Sequence, residues 1–134
     1  MTASSILKVV DAAISHAKHN EAKFRMACIL LDDKGSLMEL AHNNPLKTHP
    51  WQSRLAEKVG MPQKQYLHAE IAALVRARRE PHTVVVARVL QDDTPALARP
   101  CPVCMEAIRA SGASVIIYTG NNGQILMERV EATS

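Results

Sequence analysis

The sequence predicts an α/β protein in which helices flank a five-stranded mixed β-sheet. Apolar, β-branched runs bounded by turn residues alternate along the chain with segments whose apolar residues recur every three or four positions. Such alternation is typical of layered α/β folds. In addition, the last two strand-like runs are separated only by the turn residues 119–123. A link that short allows an antiparallel return but no parallel crossover, so the sheet is predicted to be mixed.

The first predicted element is a helix that begins at Ser4 or Ser5 and ends near Asn20. Serine is a good N-cap residue, and the apolar side chains that follow recur at helical spacing. The run 24–31 is continuously apolar and predicts a buried strand, and 36–41 predicts a second strand. Because the residues between them are typical of a tight turn, the two strands should form a hairpin.

The middle of the chain is polar over 43–66 and contains one predicted short helix, 52–59, which Gly60 closes. We expect this helix to cover the functional site. A further helix begins near His68 and continues to about Arg78, because its apolar side chains fall on one face.

The remaining elements complete the sheet. The β-branched run 83–90 predicts a strand. A helix over 103–110 follows, and Pro102 suits its first position. The runs 114–118 and 124–130 predict the final two strands.

Length and charge limit the function classes. The chain has 134 residues, a formal net charge of +3 and a pI near 8.9. We expect one domain spanning 1–134, since this length suits a single hydrophobic core. The mild positive charge permits an anionic substrate but falls short of a strong polynucleotide footprint. Because no apolar run approaches the roughly 18 residues needed to span a bilayer, we expect a soluble cytoplasmic protein.

Two short motifs carry the chemistry, and each opens a predicted helix. They are His68-Ala69-Glu70 and Pro100-Cys101-Pro102-Val103-Cys104. One imidazole and two thiolates suit Zn²⁺, and three protein ligands leave the fourth tetrahedral position open to water, whose pKa an open zinc site lowers to about 7. The positive ends of the two helices should lower both thiol pKa values. The spare carboxylate of Glu70 can carry protons during catalysis.

Each motif alone has an ordinary explanation. Cys101 and Cys104 could form a redox pair, and a histidine beside a glutamate on a helix is usually a surface arrangement. The conjunction of the two motifs, each at the start of a helix, favours a catalytic zinc site over both explanations.

These residues resemble the signature of the cytidine deaminase-like superfamily, HxE followed by PCxxC. The resemblance covers most of the chain and implies a three-layer α/β/α fold of that type. It also implies that His68, Cys101 and Cys104 hold zinc and that Glu70 is the general acid and base. Ala69 and Pro100, which lie within the motifs, become candidate substrate contacts. The run from Lys-Thr-His-Pro at 47–50 to the HAE helix is similar to small phage and bacterial proteins of the cytidine and deoxycytidylate deaminase group.

The resemblance points to two subgroups at once. Antiparallel final strands resemble the compact nucleoside deaminases, whereas deoxycytidylate, tRNA adenosine and polynucleotide deaminases typically insert a helix between those strands. The compact nucleoside enzymes, however, usually have cysteine where this chain has His68. The substrate therefore stays open at this point.

Substrate contacts outside the motifs are expected after the second strand. Asn43 is favoured, because an asparagine offers a donor and an acceptor to a sugar hydroxyl or base edge; Asn44 is equally explained as a turn residue. Lys47, Thr48 and His49 follow on the same loop, where they either bind a 5′-phosphate or are simply solvated.

Two further groups have structural interpretations. We expect the cationic side chains of Arg76, Arg78, Arg79 and Arg88 to form a solvated basic face. Cys28 lies in an apolar run and should be a buried core thiol.

Three functions are compatible with these patterns. Hydrolytic deamination of a free cytosine nucleoside or nucleotide is favoured, because one Phe, one Trp and two Tyr offer little for stacking a nucleic-acid strand. The alternatives are a deaminase acting on a base in single-stranded DNA, RNA or tRNA, or on guanine or another nucleobase, and a non-catalytic zinc scaffold or regulatory subunit. The favoured partners are a small-molecule substrate and other copies of the chain, as a homo-oligomeric dimer or tetramer, with no membrane.

Overall fold

The computed structural model, which describes residues 2–64 and 66–131, is built around a central β-sheet. The strands in chain order are β1 (Arg25–Leu31), β2 (Leu37–His42), β3 (Asn44–Thr48), β4 (Tyr66–Leu67), β5 (Thr83–Val89), β6 (Pro95–Ala96), β7 (Val115–Thr119) and β8 (Ile125–Arg129). The helices are α1 (Ala3–Lys18), α2 (Pro50–Lys58), α3 (Ala69–Arg76) and α4 (Pro102–Ser111).

The main path of the sheet has five strands in the order β2-β1-β5-β7-β8, with the short β6 paired to β5 off this path. β5 and β7 are parallel, and the other neighbours on the path are antiparallel. The predicted five-stranded mixed sheet, its first hairpin and the antiparallel final pair are therefore confirmed.

Helices cover both faces of this sheet, which confirms the three layers. On one face α1 buries Val10 and Ala13 against Ile29, Val85 and Ile117. The opposite face carries the larger core, formed by α2, α3 and α4 on side chains of β1, β5 and β7; its fully buried members include Leu30, Ile71, Val84, Val86, Ile108 and Ile116. Cys28 belongs to this second core and is buried, as predicted.

The polar segment between β2 and α3 is more ordered than the sequence indicates. β3 and β4 pair as a separate two-stranded antiparallel sheet. α2 begins at Pro50 rather than at 52, because the imidazole Nδ1 of His49 accepts the backbone N–H of Trp51 at 3.1 Å and so caps the helix.

Both motif helices end where the chain turns back into the sheet. α3 stops at Arg76, earlier than the predicted Arg78, because Ala77 is already extended on the way to β5. α4 ends at Ser111 and is capped by Gly112, whose φ of +83° is left-handed and favours glycine. Within the described ranges, no helix combines the length and apolar character needed to cross a membrane.

Candidate active site

The N-terminal ends of α3 and α4 bring the two motifs together. His68 is the N-cap residue of α3, and Cys101 is the N-cap residue of α4. The Nδ1 atom of His68 lies 3.1 Å from Sγ of Cys104 and 3.6 Å from Sγ of Cys101. One ligand atom from each of the three residues falls within 4.8 Å of the others.

This cluster fits a zinc ion. With Zn–N near 2.0 Å and Zn–S near 2.3 Å, a tetrahedral ion separates nitrogen and sulfur ligands by about 3.6 Å. The observed separations of 3.1 and 3.6 Å are close to that value. The cluster supplies one imidazole and two sulfurs, so a tetrahedral ion held by these residues keeps a fourth position for a non-protein ligand.

The two thiols differ in their electrostatics. A hydrogen bond with Cys104, helped by His68, lowers the pKa of Cys101 to about 3. Burial raises the pKa of Cys104 well above its usual value. The pKa of Cys101 is thus lowered, but hydrogen bonds with Cys104 and His68 are the cause. The expected lowering of the Cys104 pKa is wrong, because burial of this thiol raises its pKa.

Glu70 lies in the first turn of α3 and is 2% exposed. A surface location, the ordinary explanation for a histidine beside a glutamate, is thus wrong for this chain. Burial raises the pKa of the Glu70 carboxyl, and the charge of His68 opposes this effect. Its Oε1 atom is buried and has no hydrogen-bond partner among the residues that the structure describes. A buried oxygen without a partner costs free energy, which a hydrogen-bonding ligand at this site would recover.

A cavity of about 320 Å³ opens onto this cluster. Its described lining consists of Phe24, Met26, Asn43, Lys64, His68, Glu70, Arg88, Leu97, Ala98, Arg99 and Cys101. The volume lies at the lower end of the range for small-molecule sites, about 300–1,000 Å³. The site therefore has room for one small substrate beside the carboxylate.

Of the substrate contacts proposed outside the motifs, only Asn43 is part of this described lining. Its Oδ1 atom accepts the backbone N–H of Met26 at 3.1 Å and the side-chain N–H of Asn20 at 2.6 Å. Its Nδ2 atom donates to the carbonyl of Phe24 at 2.7 Å. Asn43 thus fixes the wall that carries Phe24, and one amide N–H is left for a ligand.

The other candidates lie elsewhere. The Oδ1 atom of Asn44 accepts the backbone N–H of Leu46, the side chain of Lys47 is exposed, and His49 caps α2. Ala69 and Pro100 are buried next to the ligands but are not part of the described cavity lining.

Several cavity residues are not among those predicted from the sequence, and the basic ones matter most. The predicted solvated basic face is wrong for Arg88, because this residue lines the cavity with its guanidinium 5.9 Å from the centre of the Phe24 ring. Strand periodicity could have shown this, because residues two apart in a strand point to the same face of the sheet. Arg88 therefore shares a face with Val84 and Val86, which pack toward the site helices. Lys64 and Arg99 also line the cavity.

Arg99 anchors the loop that precedes the cysteines. Its Nε and Nη2 atoms donate to both carboxylate oxygens of Glu128 on β8, at 2.7 and 3.0 Å. The hydroxyl of Tyr118 on β7 also donates to Glu128, at 2.5 Å. The hydrogen bond from Arg99 lowers the pKa of Glu128. This ion pair ties the loop before Cys101 to the last hairpin of the sheet.

Gln52 on α2 is a second residue that the sequence did not reveal. Its side chain is fully buried, donates from Nε2 to the carbonyl of Lys64 at 2.8 Å and accepts the backbone N–H of His68 at 3.4 Å. One carboxamide therefore holds the segment that leads into the histidine ligand. We expected α2 to cover the site. In the structure α2 instead supports, through Gln52, the segment that leads into His68.

We expect Gln52→Leu to weaken zinc binding by about 10- to 100-fold, the usual effect of losing a partner that orients a ligand. Stability should also fall by about 1–3 kcal/mol, because the carbonyl of Lys64 and the amide of His68 lose their side-chain partner. Chelator competition measures the first effect and urea unfolding the second. Gln63→Leu, at an exposed glutamine nearby, is the matched control. Equal effects of the two changes would contradict the role of Gln52.

Three zinc-type ligands, a buried carboxylate and an open cavity form the kind of site that zinc enzymes use to activate water. The comparisons with known proteins agree with this class. The family model for the cytidine and deoxycytidylate deaminase zinc-binding region matches residues 2–120. The chain belongs to this family of zinc-binding deaminases.

The solved structures that share the fold include two deaminases. The cytidine deaminase of Burkholderia pseudomallei aligns with a TM-score of 0.58 and 16% identity, covering 97% of this chain and 94% of that chain. The dCMP deaminase of the cyanophage S-TIM5, in its apo form, aligns with a TM-score of 0.61 and 17% identity, covering 90% and 86%. Comparison with curated proteins finds no match. At these identities the structural likeness shows the fold alone.

Proposed function

We propose that this protein hydrolytically deaminates the cytosine of a free nucleoside or nucleotide, giving the uracil product and ammonia. The observation that carries the proposal is the buried Glu70 carboxylate beside the His68, Cys101 and Cys104 cluster, at the base of a cavity for one small substrate. A purely structural zinc site needs neither a spare carboxylate nor an open cavity. Family membership supports the same chemistry.

In this proposal His68, Cys101 and Cys104 hold zinc, which when bound supplies a water molecule acidified enough to attack near neutral pH. Glu70 accepts the proton of that water and delivers it to the ring nitrogen next to the amino-bearing carbon. The water oxygen adds to that carbon, and Glu70 carries the second proton to the amino group as the carbon–nitrogen bond breaks. Ammonia leaves, and the ring carbon becomes a carbonyl.

The wall of the cavity supports a free substrate rather than a polymer. Among the described lining residues, Phe24 supplies the phenyl ring against which one base can pack. A nucleic-acid strand instead needs several aromatic side chains in series, on which successive bases stack. In this proposal the remaining amide N–H of Asn43 donates to a sugar hydroxyl or base edge. Of the motif residues, Ala69 and Pro100 stay proposed substrate contacts.

Zinc analysis together with ammonia release from a substrate panel tests this function. The panel contains cytidine, deoxycytidine, their monophosphates, guanine and a short oligodeoxycytidine. We expect one zinc per chain and turnover of at least one free cytosine compound. Turnover of guanine or the oligonucleotide alone would support the alternative deaminases, and zinc without any turnover would support the scaffold.

Self-association and a cytoplasmic location stay predictions. The exposed apolar side chains of Ile125, Leu126 and Met127 on the edge strand β8 are compatible with a homo-oligomer. Sedimentation at micromolar concentration decides between a monomer, a dimer and a tetramer.

A further inference from the structure

The cavity carries more positive charge than the chemistry at its base requires. Three basic side chains, those of Lys64, Arg88 and Arg99, line it, and Glu70 is the carboxylate in the described lining. Cytosine and its nucleosides are neutral, so they give these cations nothing to neutralise. A concave site with one sign of charge raises the local concentration of oppositely charged ligands.

Among the residues that the structure describes, two of the three cations have no ion-pair partner. Arg99 is neutralised by its two hydrogen bonds to Glu128. The ion pairs found within 2–64 and 66–131 include neither Lys64 nor Arg88. The guanidinium of Arg88 instead lies over the ring of Phe24, which leaves its N–H groups available.

The cavity is closed at Glu70 and open to solvent near Phe24, a lining residue that is 53% exposed and over whose ring the guanidinium of Arg88 lies. Glu70 is 2% exposed, whereas Lys64 and Arg88 are only partly buried. A substrate that presents its amino-bearing carbon to Glu70 must therefore extend its opposite end toward the solvent side. In a nucleoside monophosphate that opposite end is the phosphate.

Protein contacts fix the backbone at both Lys64 and Arg88 before any ligand binds. The carbonyl of Lys64 accepts a hydrogen bond from the same Gln52 side chain that contacts the amide of His68. Arg88 sits in the middle of the sheet, directly opposite Met26 in the antiparallel β1–β5 pair. A fixed backbone limits the freedom that these two residues lose on binding an anion, which favours recognition.

Resting on the proposed function, we propose that Lys64 and Arg88 bind the 5′-phosphate, so that the substrate of this deaminase is a cytosine nucleoside monophosphate rather than the nucleoside. Charge-assisted hydrogen bonds from a guanidinium and an ammonium are the usual means of phosphate recognition. A mononucleotide is favoured over a polynucleotide because the cavity of about 320 Å³ has the size for one ligand.

The test measures kcat/KM of the zinc-loaded protein for CMP, dCMP, cytidine, deoxycytidine and a short oligodeoxycytidine. We expect the wild type to prefer a monophosphate over its nucleoside by about 100-fold or more. Lys64→Gln and Arg88→Gln should each reduce this preference by about 10- to 100-fold, the range for losing a hydrogen bond to a charged group. Lys34→Gln and Arg54→Gln, at exposed cations away from the cavity, should keep the preference.

A binding measurement gives a second readout. Calorimetric titration should show that the wild type binds UMP or dUMP more tightly than uridine or deoxyuridine, and that Lys64→Gln and Arg88→Gln remove this difference. Equal kcat/KM for nucleoside and monophosphate would overturn the phosphate site and leave the proposed deaminase function standing. Preference for the oligonucleotide, or a loss confined to Lys47→Gln, would also overturn it. Absence of turnover for every cytosine compound would instead refute the proposed function.

Discussion

Replacing Glu70 with glutamine or alanine is expected to leave zinc in place and to reduce turnover by about 10³-fold, within the range of general acid–base catalysis. Neither replacement side chain accepts a proton from water, so the ring nitrogen and the leaving group lose their proton source. Zinc content should stay at the wild-type level, because Glu70 is not a member of the ligand cluster. Ammonia release and metal analysis on the same preparations measure both quantities.

Stability gives this prediction an independent check. Glu70 is buried, and its Oε1 atom has no hydrogen-bond partner among the described residues, so an ionised carboxylate at this position costs free energy in the folded state. Glu70→Gln should therefore be as stable as the wild type or more stable in urea unfolding. Glu57→Gln, at an exposed glutamate on α2, serves as the control and should retain full turnover. Near-normal turnover of Glu70→Gln would refute the mechanism.

Cys101→Ala and Cys104→Ala should each lose zinc, turnover and stability together. With two protein ligands left, zinc affinity should fall by more than about 100-fold, a loss larger than that expected for removing a ligand's hydrogen-bond partner. A metal that binds the folded state but not the unfolded state stabilises the protein. Adding zinc should therefore raise the thermal unfolding midpoint of the wild type but not of these variants. Calorimetry with and without zinc measures this difference.

Cys28→Ala is the matched control for these changes. Cys28 is buried like Cys104 but lies outside the ligand cluster. Its replacement should lower stability by about 1 kcal/mol through loss of packing and keep zinc and turnover. If Cys28→Ala and Cys104→Ala behaved alike, the sulfur of Cys104 would not be a ligand.

The chemical centre was predictable because its information is local in sequence. His68 and Glu70 lie in one helical turn, as do Cys101 and Cys104, and each pair opens a helix. The strands were predictable because apolar runs rich in β-branched residues favour the strand conformation. The sequence cannot show directly that the two helix ends meet, but the ligand chemistry makes their meeting the simplest explanation.

The cavity wall was harder to predict because it depends on tertiary contacts. Lys64 lies in a loop whose path is set by the Gln52 side chain, and no periodic pattern marks either residue. Arg88 was recoverable in principle from strand alternation. The small β3–β4 sheet was missed because β3 is mostly exposed and shows no regular alternation of apolar and polar residues, and β4 has only 2 residues.

The pairing of Arg99 with Glu128 has a consequence for how the protein matures. Glu128 belongs to β8, which follows the cysteine motif in the sequence, so a ribosome must release the chain through β8 before the cysteine loop gains this ion pair. A nascent chain that already contains all four motif residues would still lack it. Metal capture should therefore follow the release of β8, and truncations that remove β8 but spare every motif residue should still impair it.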